Sequence, residues 1–180
     1  MAEGVLQVYA VPHMPYWHAS IGKNASHRPA TEVILCNLDG DNVISPEFVQ
    51  KCVGHFAAGR KLVWFHDGTA KAGNCGRIAY LSESFCAVRG YDQDLLPMGY
   101  QDLDIIARLQ KHLSAPVYRN SSERLAVQNA VPAKIANIDP AIKTVYPKWG
   151  NMNTANGATC LARLLDESAV RNLDCPLGLY

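Results

Sequence analysis

Long apolar runs are missing. No stretch of the 180 residues approaches the roughly 18 in a row that a membrane-spanning helix needs. An excess of charge of one sign is missing too. Lys plus Arg number 17 against 16 Asp plus Glu, a formal net charge of +1, so there is no electrostatic footprint for nucleic acid or an anionic membrane. The opening residues, MAEGVLQVY, carry neither a basic n-region nor an apolar h-region. No secretory signal is read there, and the cytoplasm is the default location. The six cysteines at 36, 52, 75, 86, 160 and 175 include no CxxC pair, which argues against a zinc ribbon. A domain of this size folds without disulfide staples, so buried free thiols are expected. There is no P-loop or Rossmann glycine fingerprint, no internal repeat and no low-complexity segment.

What is present suits one globular domain: 48% apolar and 18% charged residues, enough for a sizeable core. Residues 5–9 read as a short strand and residues 20–28 as a short helix stopped by Pro29. The apolar run in residues 32–37 (EVILCN) and that in 61–66 (KLVWFH) have the length and continuity of strands buried on both faces. Between them, Ser45-Pro46-Glu47 opens a helix with Ser as N-cap and Pro at its first position. Residues 77–81 and 85–88 read as strands. Residues 103–113 have apolar side chains at 103, 106, 109 and 113, a helical stripe. A last helix is expected over 159–165. Strand–helix alternation predicts an α/β fold with a mostly parallel central sheet. The core spans 5–118, with a C-terminal extension over 119–180.

Two segments carry possible chemistry. Asp39-Gly40-Asp41 follows a buried strand, at the sheet edge where open α/β folds bind ligands. Carboxylates there can hold Mg²⁺ or Mn²⁺, although Asp, Gly and Asn also make a plain turn. Asp102 sits at the start of a helix, either as an N-cap or as a general base. His13, His18 and His27 are close in sequence, but their spacing fits no zinc pattern. His112 reads as a surface residue.

The run from Lys23-Asn24 through residues 33–42 (VILCNLDGDN) to Ser45-Pro46-Glu47-Phe48 resembles the middle of a GT-A glycosyltransferase. The later run, residues 85–92 (FCAVRGYD) followed by 99–104 (GYQDLD) and Arg108-Leu109, is similar to that fold's Phe-x-x-x-Gly-Gly-Tyr-Asp and Gly-Trp-Gly-x-Glu-Asp-x-Asp-Leu-x-x-Arg-Leu segments. The nearest groups are the family 2 transferases and the galactosyltransferase-like C-terminal segment. The likeness covers about residues 18–118, with two motifs in the right order.

The resemblance implies a partial GT-A-like sheet and transfer of a sugar from a nucleoside-diphosphate donor to a carbohydrate or other hydroxyl acceptor. It implies Asp39 near the nucleotide or the metal, with Lys23 and Asn24 on the donor side. Asp41 would be a ligand for Mn²⁺ or Mg²⁺, and Asp102 the base. Gly90, Tyr91, Tyr100 and Gln101 would line the acceptor side. Trp64 fits either the core or a sugar-stacking face.

The chain departs from that pattern in three places. Gln101 replaces the first acidic residue of the Glu-Asp pair, Arg89 replaces the first Gly of the doublet, and Asn120 falls where the galactosyltransferases carry a metal-binding His. Only 38 residues precede Asp39, so the base-binding part of such a fold is expected to be absent. The sheet edge near residues 5–9 would then be open to self-association. A degenerate domain that binds carbohydrate or a protein partner without turnover is the competing reading.

Overall fold

The computed structural model describes residues 8–40, 42–66, 75–120, 135–165 and 168–174. Within them the chain is α/β, with one open four-stranded sheet and helices packed on it. The elements in order are α1 (Ala19–His27), β1 (Ile34–Asn37), α2 (Pro46–Ala57), β2 (Leu62–Phe65), β3 (Ile78–Leu81), α3 (Ser82–Ala87), α4 (Gln101–Leu113), β4 (Tyr118–Asn120), α5 (Pro140–Val145) and α6 (Trp149–Leu165).

The expected mostly parallel sheet is corrected to a mixed one. Its order is β1-β3-β2-β4. β3 runs antiparallel to both neighbours, with Leu35 opposite Tyr80 on one side and Val63 opposite Ala79 on the other. Only β2 and β4 pair in parallel. β1 and β2 do share a direction, as the strand–helix–strand pattern suggests, but β3 lies between them. The cause is burial: Ile78, Ala79 and Tyr80 are all fully buried, and the centre of a sheet is where such a strand loses most contact with water.

The core has two parts. On one face Leu35, Leu62, Trp64, Ile78 and Tyr80 meet Phe85, Val88 and Tyr91 and the α4 stripe Ile105, Ile106 and Leu109. On the other, Phe48 and Cys52 of α2 cover Val63, Phe65 and Ala79. Each large side chain buried in this way contributes about 1.5–3 kcal/mol relative to leaving it exposed.

The α2 start is as read from the sequence: the Ser45 hydroxyl accepts from the Phe48 N–H at 3.3 Å, with Pro46 following. Residues 85–88, expected as a strand, belong instead to α3 and its end. Phe85 and Val88 are both buried and three apart, a helical spacing that a four-residue apolar stretch conceals. The last helix is longer than expected, starting at Trp149.

Of the strand expected at 5–9, residues 5–7 lie outside the described residues, and Val8 and Tyr9 form none. The described sheet edges are β1 and β4.

Described residues after 118 pack on this body. β4 joins the sheet, and Asn156 of α6 donates to the carbonyl of Gly99 at 2.7 Å and accepts from the Leu96 N–H at 2.8 Å. The buried Asp92 carboxylate pairs with Arg163 and, at 3.4 Å, with Arg171. No helix among the described residues is long and apolar enough to cross a membrane.

Candidate functional site

α1 is amphipathic: Ser20, Ile21, Asn24 and His27 face inward. Lys23 lies beside that stripe, and its ammonium reaches the end of β1 and the start of α4 together. Its Nζ is 2.6 Å from Asp102 Oδ1 and 3.6 Å from Asp39 Oδ1. The Lys23 side chain is 14% exposed, Asp102 22% and Asp39 39%, so the cluster is half-buried with Asp39 on its open side. Nζ also lies 5.3 Å from the centre of the Tyr91 ring, within cation–π range. Burial acts to lower the Lys23 pKa. The charges of Asp102 and then Asp39 outweigh it, so the ammonium is held above its ordinary value.

The turn after β1 has both features that its sequence offers. It closes as a plain turn, with the Asn42 N–H donating to the Asp39 carbonyl at 2.9 Å, and it still leaves the Asp39 carboxylate facing Lys23. Space for that carboxylate comes from Gly76. A Cβ built there would lie 2.7 Å from Asp39 Oδ2. Asp41 lies outside the described residues.

Asp102 does not cap α4. The N-cap position is Tyr100, which has φ +70 and makes no side-chain cap. Asp102 stands within the first turn, where the helix dipole favours its charge, and takes its bond from Lys23 instead. Gln101, in place of an acidic residue, is buried and donates from Nε2 to the Leu96 carbonyl at 2.9 Å.

Of the remaining sequence-derived site residues, all but Tyr100 are placed in the interior. Asn24 is fully buried and clamps Tyr91, accepting from its N–H and donating to its carbonyl, each at 2.8 Å. Gly90 packs on that clamp: its φ is +69, and a Cβ there would lie 2.5 Å from Asn24 Oδ1 and 2.9 Å from Phe85. Tyr91 is fully buried, and burial pushes its phenol well above the ordinary range. Tyr100 is partly exposed and its ring lies against Gly157 of α6. Trp64 is a core residue whose indole N–H donates to the Cys75 carbonyl at 3.0 Å. Asn120 lies 2.6 Å from the His55 ring nitrogen Nε2.

Among the described residues, no three His, Cys, Asp or Glu side chains cluster as metal ligands. Asp39 and Asp102 converge on an ammonium, and a divalent cation set between them would face that like charge. Of the two expected metal ligands, only Asp39 lies among the described residues. The three sequence-adjacent histidines do not converge: His18 is held by the Leu95 carbonyl at 2.9 Å, His27 stacks on Phe85 at 5.3 Å, and His13 is exposed. Exposed His112 is a surface residue, as expected.

Other polar residues of the interior carry no signal in the sequence. Arg108 is fully buried and binds Asp104 Oδ2 at 2.8 Å and the Val88 carbonyl at 3.2 Å. An i,i+4 Asp–Arg pair reads as an exposed helix face. Asn172 donates to the carbonyls of Arg89 and Tyr91, with nothing in its neighbourhood to announce it.

The cluster is a locked cation between two carboxylates, with one carboxylate open to solvent. It can accept a hydroxyl proton at Asp102, hydrogen-bond a diol at Asp39 and offset negative charge at Lys23. In comparisons with known proteins the chain matches no family model, no curated protein and no solved structure.

Proposed function

We propose that the Asp39–Lys23–Asp102 cluster is the centre of a sugar-transfer site, taking a nucleoside-diphosphate sugar and a hydroxyl acceptor. One observation carries this reading. Lys23 binds both Asp39 and Asp102, so the two segments that resemble glycosyltransferase motifs, some 60 residues apart in the chain, converge on one ammonium.

The roles follow from exposure and charge. Asp39, the most exposed of the three, hydrogen-bonds the donor's ribose or sugar hydroxyls. Asp102 accepts the acceptor's proton late, as that hydroxyl attacks the anomeric carbon. Lys23 offsets the charge that develops on the leaving diphosphate. No step is routed through a metal.

A second reading has its own support. The 2.6 Å pair with Lys23 already occupies one carboxylate oxygen of Asp102, and Gln101 is turned into the interior. A domain that binds sugar nucleotide or carbohydrate without turnover fits those two facts.

Calorimetry with UDP and UDP-sugars, with and without Mn²⁺, combined with a hydrolysis and transfer assay, separates the two. Under the first reading Asp102→Asn keeps binding and lowers turnover by about 10²–10⁴, while Asp39→Ala weakens binding. Binding without turnover selects the second reading. Absence of any nucleotide or sugar binding overturns both.

A further inference from the structure

We propose that Cys75 and His66 form a nucleophile–base pair, a thiol-modification site for a small hydroperoxide, independent of the sugar-transfer reading. Cys75 Sγ lies 3.3 Å from His66 Nε2, within the reach over which an imidazole takes a thiol proton.

One residue positions both partners. The Trp64 ring stacks on the His66 imidazole, centroids 4.6 Å apart and planes 16° apart. Its indole N–H donates to the Cys75 carbonyl at 3.0 Å. Trp64 is 7% exposed in the core strand β2, so the scaffold that aims the pair is rigid. His66 is buried, whereas Cys75 is partly open to solvent. The base is shielded and the cysteine is the more open of the two, the arrangement a reactive cysteine needs. Charged groups brought to this corner are Arg119, 5.0 Å from the Trp64 ring, Arg77 two residues along, and Asp39 against Gly76.

The other described cysteines lack such a base. Cys36 shares a hydrogen bond with Cys52, which together with burial pushes its thiol up. Burial, and then Asp104, push Cys160 up. Cys86 is exposed on α3 and supplies an ordinary thiol within the same molecule.

The chemistry balances. The proton moves from Sγ to Nε2, leaving a thiolate beside an imidazolium. The thiolate attacks the terminal oxygen of the hydroperoxide, so the S–O bond forms and the O–O bond breaks. Sulfur is oxidised by two electrons and the peroxide is reduced. The leaving alkoxide takes the proton from Nε2 and departs as the alcohol, and Cys75 becomes a sulfenic acid.

The test labels the full chain with iodoacetamide between pH 5.5 and 9.5 and reads each cysteine by peptide mass spectrometry. At pH 6 Cys75 is expected to react about ten-fold faster than Cys86, with the ratio shrinking as pH passes the ordinary thiol value near 8.5. His66→Gln should collapse the ratio to below about two-fold, and Trp64→Phe, which keeps a ring but loses the N–H, should reduce it in part. With tert-butyl hydroperoxide and a sulfenate-trapping dione, Cys75 should be tagged before Cys86. A ratio near one at pH 6 in the wild-type chain overturns the proposal. So does an unchanged ratio in a folded His66→Gln variant. If that variant fails to fold, the wild-type profile decides: a Cys75 rate level from pH 6.5 to 8 supports the pair, and a single rise near pH 8.5 refutes it.

Discussion

Asn24 holds Tyr91 by both backbone groups at once, its Oδ1 accepting from the Tyr91 N–H and its Nδ2 donating to the Tyr91 carbonyl, each at 2.8 Å. This clamp fixes α1 to the segment after α3, and so fixes Lys23, the preceding residue, against Asp102. Asn24→Ala leaves the buried Tyr91 N–H without its partner, while the carbonyl keeps Asn172. One such group costs about 1–3 kcal/mol, and a loss of that size is expected in urea denaturation, together with loss of any nucleotide binding.

Two glycine substitutions should have opposite signs. Gly90→Ala puts a methyl 2.5 Å from Asn24 Oδ1 at a φ of +69, with no room on the clamp to give way, and should cost at least about 2 kcal/mol. Gly54 is exposed inside α2 with nothing within 4 Å of an added Cβ. Gly54→Ala should stabilise by about 0.5–1 kcal/mol. Equal effects in a thermal or chemical melt would contradict the local geometry.

His27 makes folding acid-sensitive. Burial lowers its pKa from the ordinary 6.5, so the unfolded chain binds its proton more readily than the folded one. Stability is therefore full above about pH 6.5 and falls as the pH drops toward the lowered value. His18, lowered for the same reason, adds to the slope. His27→Phe, which keeps the stack on Phe85, should give a flatter urea midpoint between pH 7.5 and 5 than the wild-type chain.

Lys23 acts at the other end of the scale. Its folded pKa is raised above the ordinary 10.5, so its contribution is present at neutral pH and is lost as the pH climbs past that range. Lys23→Met leaves Asp39 and Asp102 facing each other, which should cost about 1–3 kcal/mol at pH 7. The gap between variant and wild type should narrow above pH 10.5. A gap independent of pH would mean that the lysine acts through its aliphatic stem alone.

The sequence makes β2 and α2 legible because each announces itself locally. β2 is an unbroken apolar run, and α2 has Ser45 and Pro46 at its start. The place of β3 is illegible because strand order depends on which strand buries most, a property of the assembled sheet. The convergence of Asp39 and Asp102 follows from motif resemblance, but the ammonium between them does not. The resemblance puts Lys23 on the donor side, but its pairing with both carboxylates shows only once α4 is laid beside α1. The pairing of His66 with Cys75, nine positions apart, has no sequence signal either, since it depends on where the Trp64 indole points.

The mixed sheet also bears on the order in which a ribosome delivers the chain. Among the described residues β1 pairs with β3 alone, and β2 pairs with β3 and β4. Both early strands therefore leave the exit tunnel before their described partners do. Until residue 81 has emerged, the apolar LVWF segment lacks β3, its antiparallel neighbour, and an unpaired segment of that kind is prone to aggregate. Chaperone contact with the nascent chain should accordingly peak after β2 is synthesised and fall once β3 and α3 have followed it out.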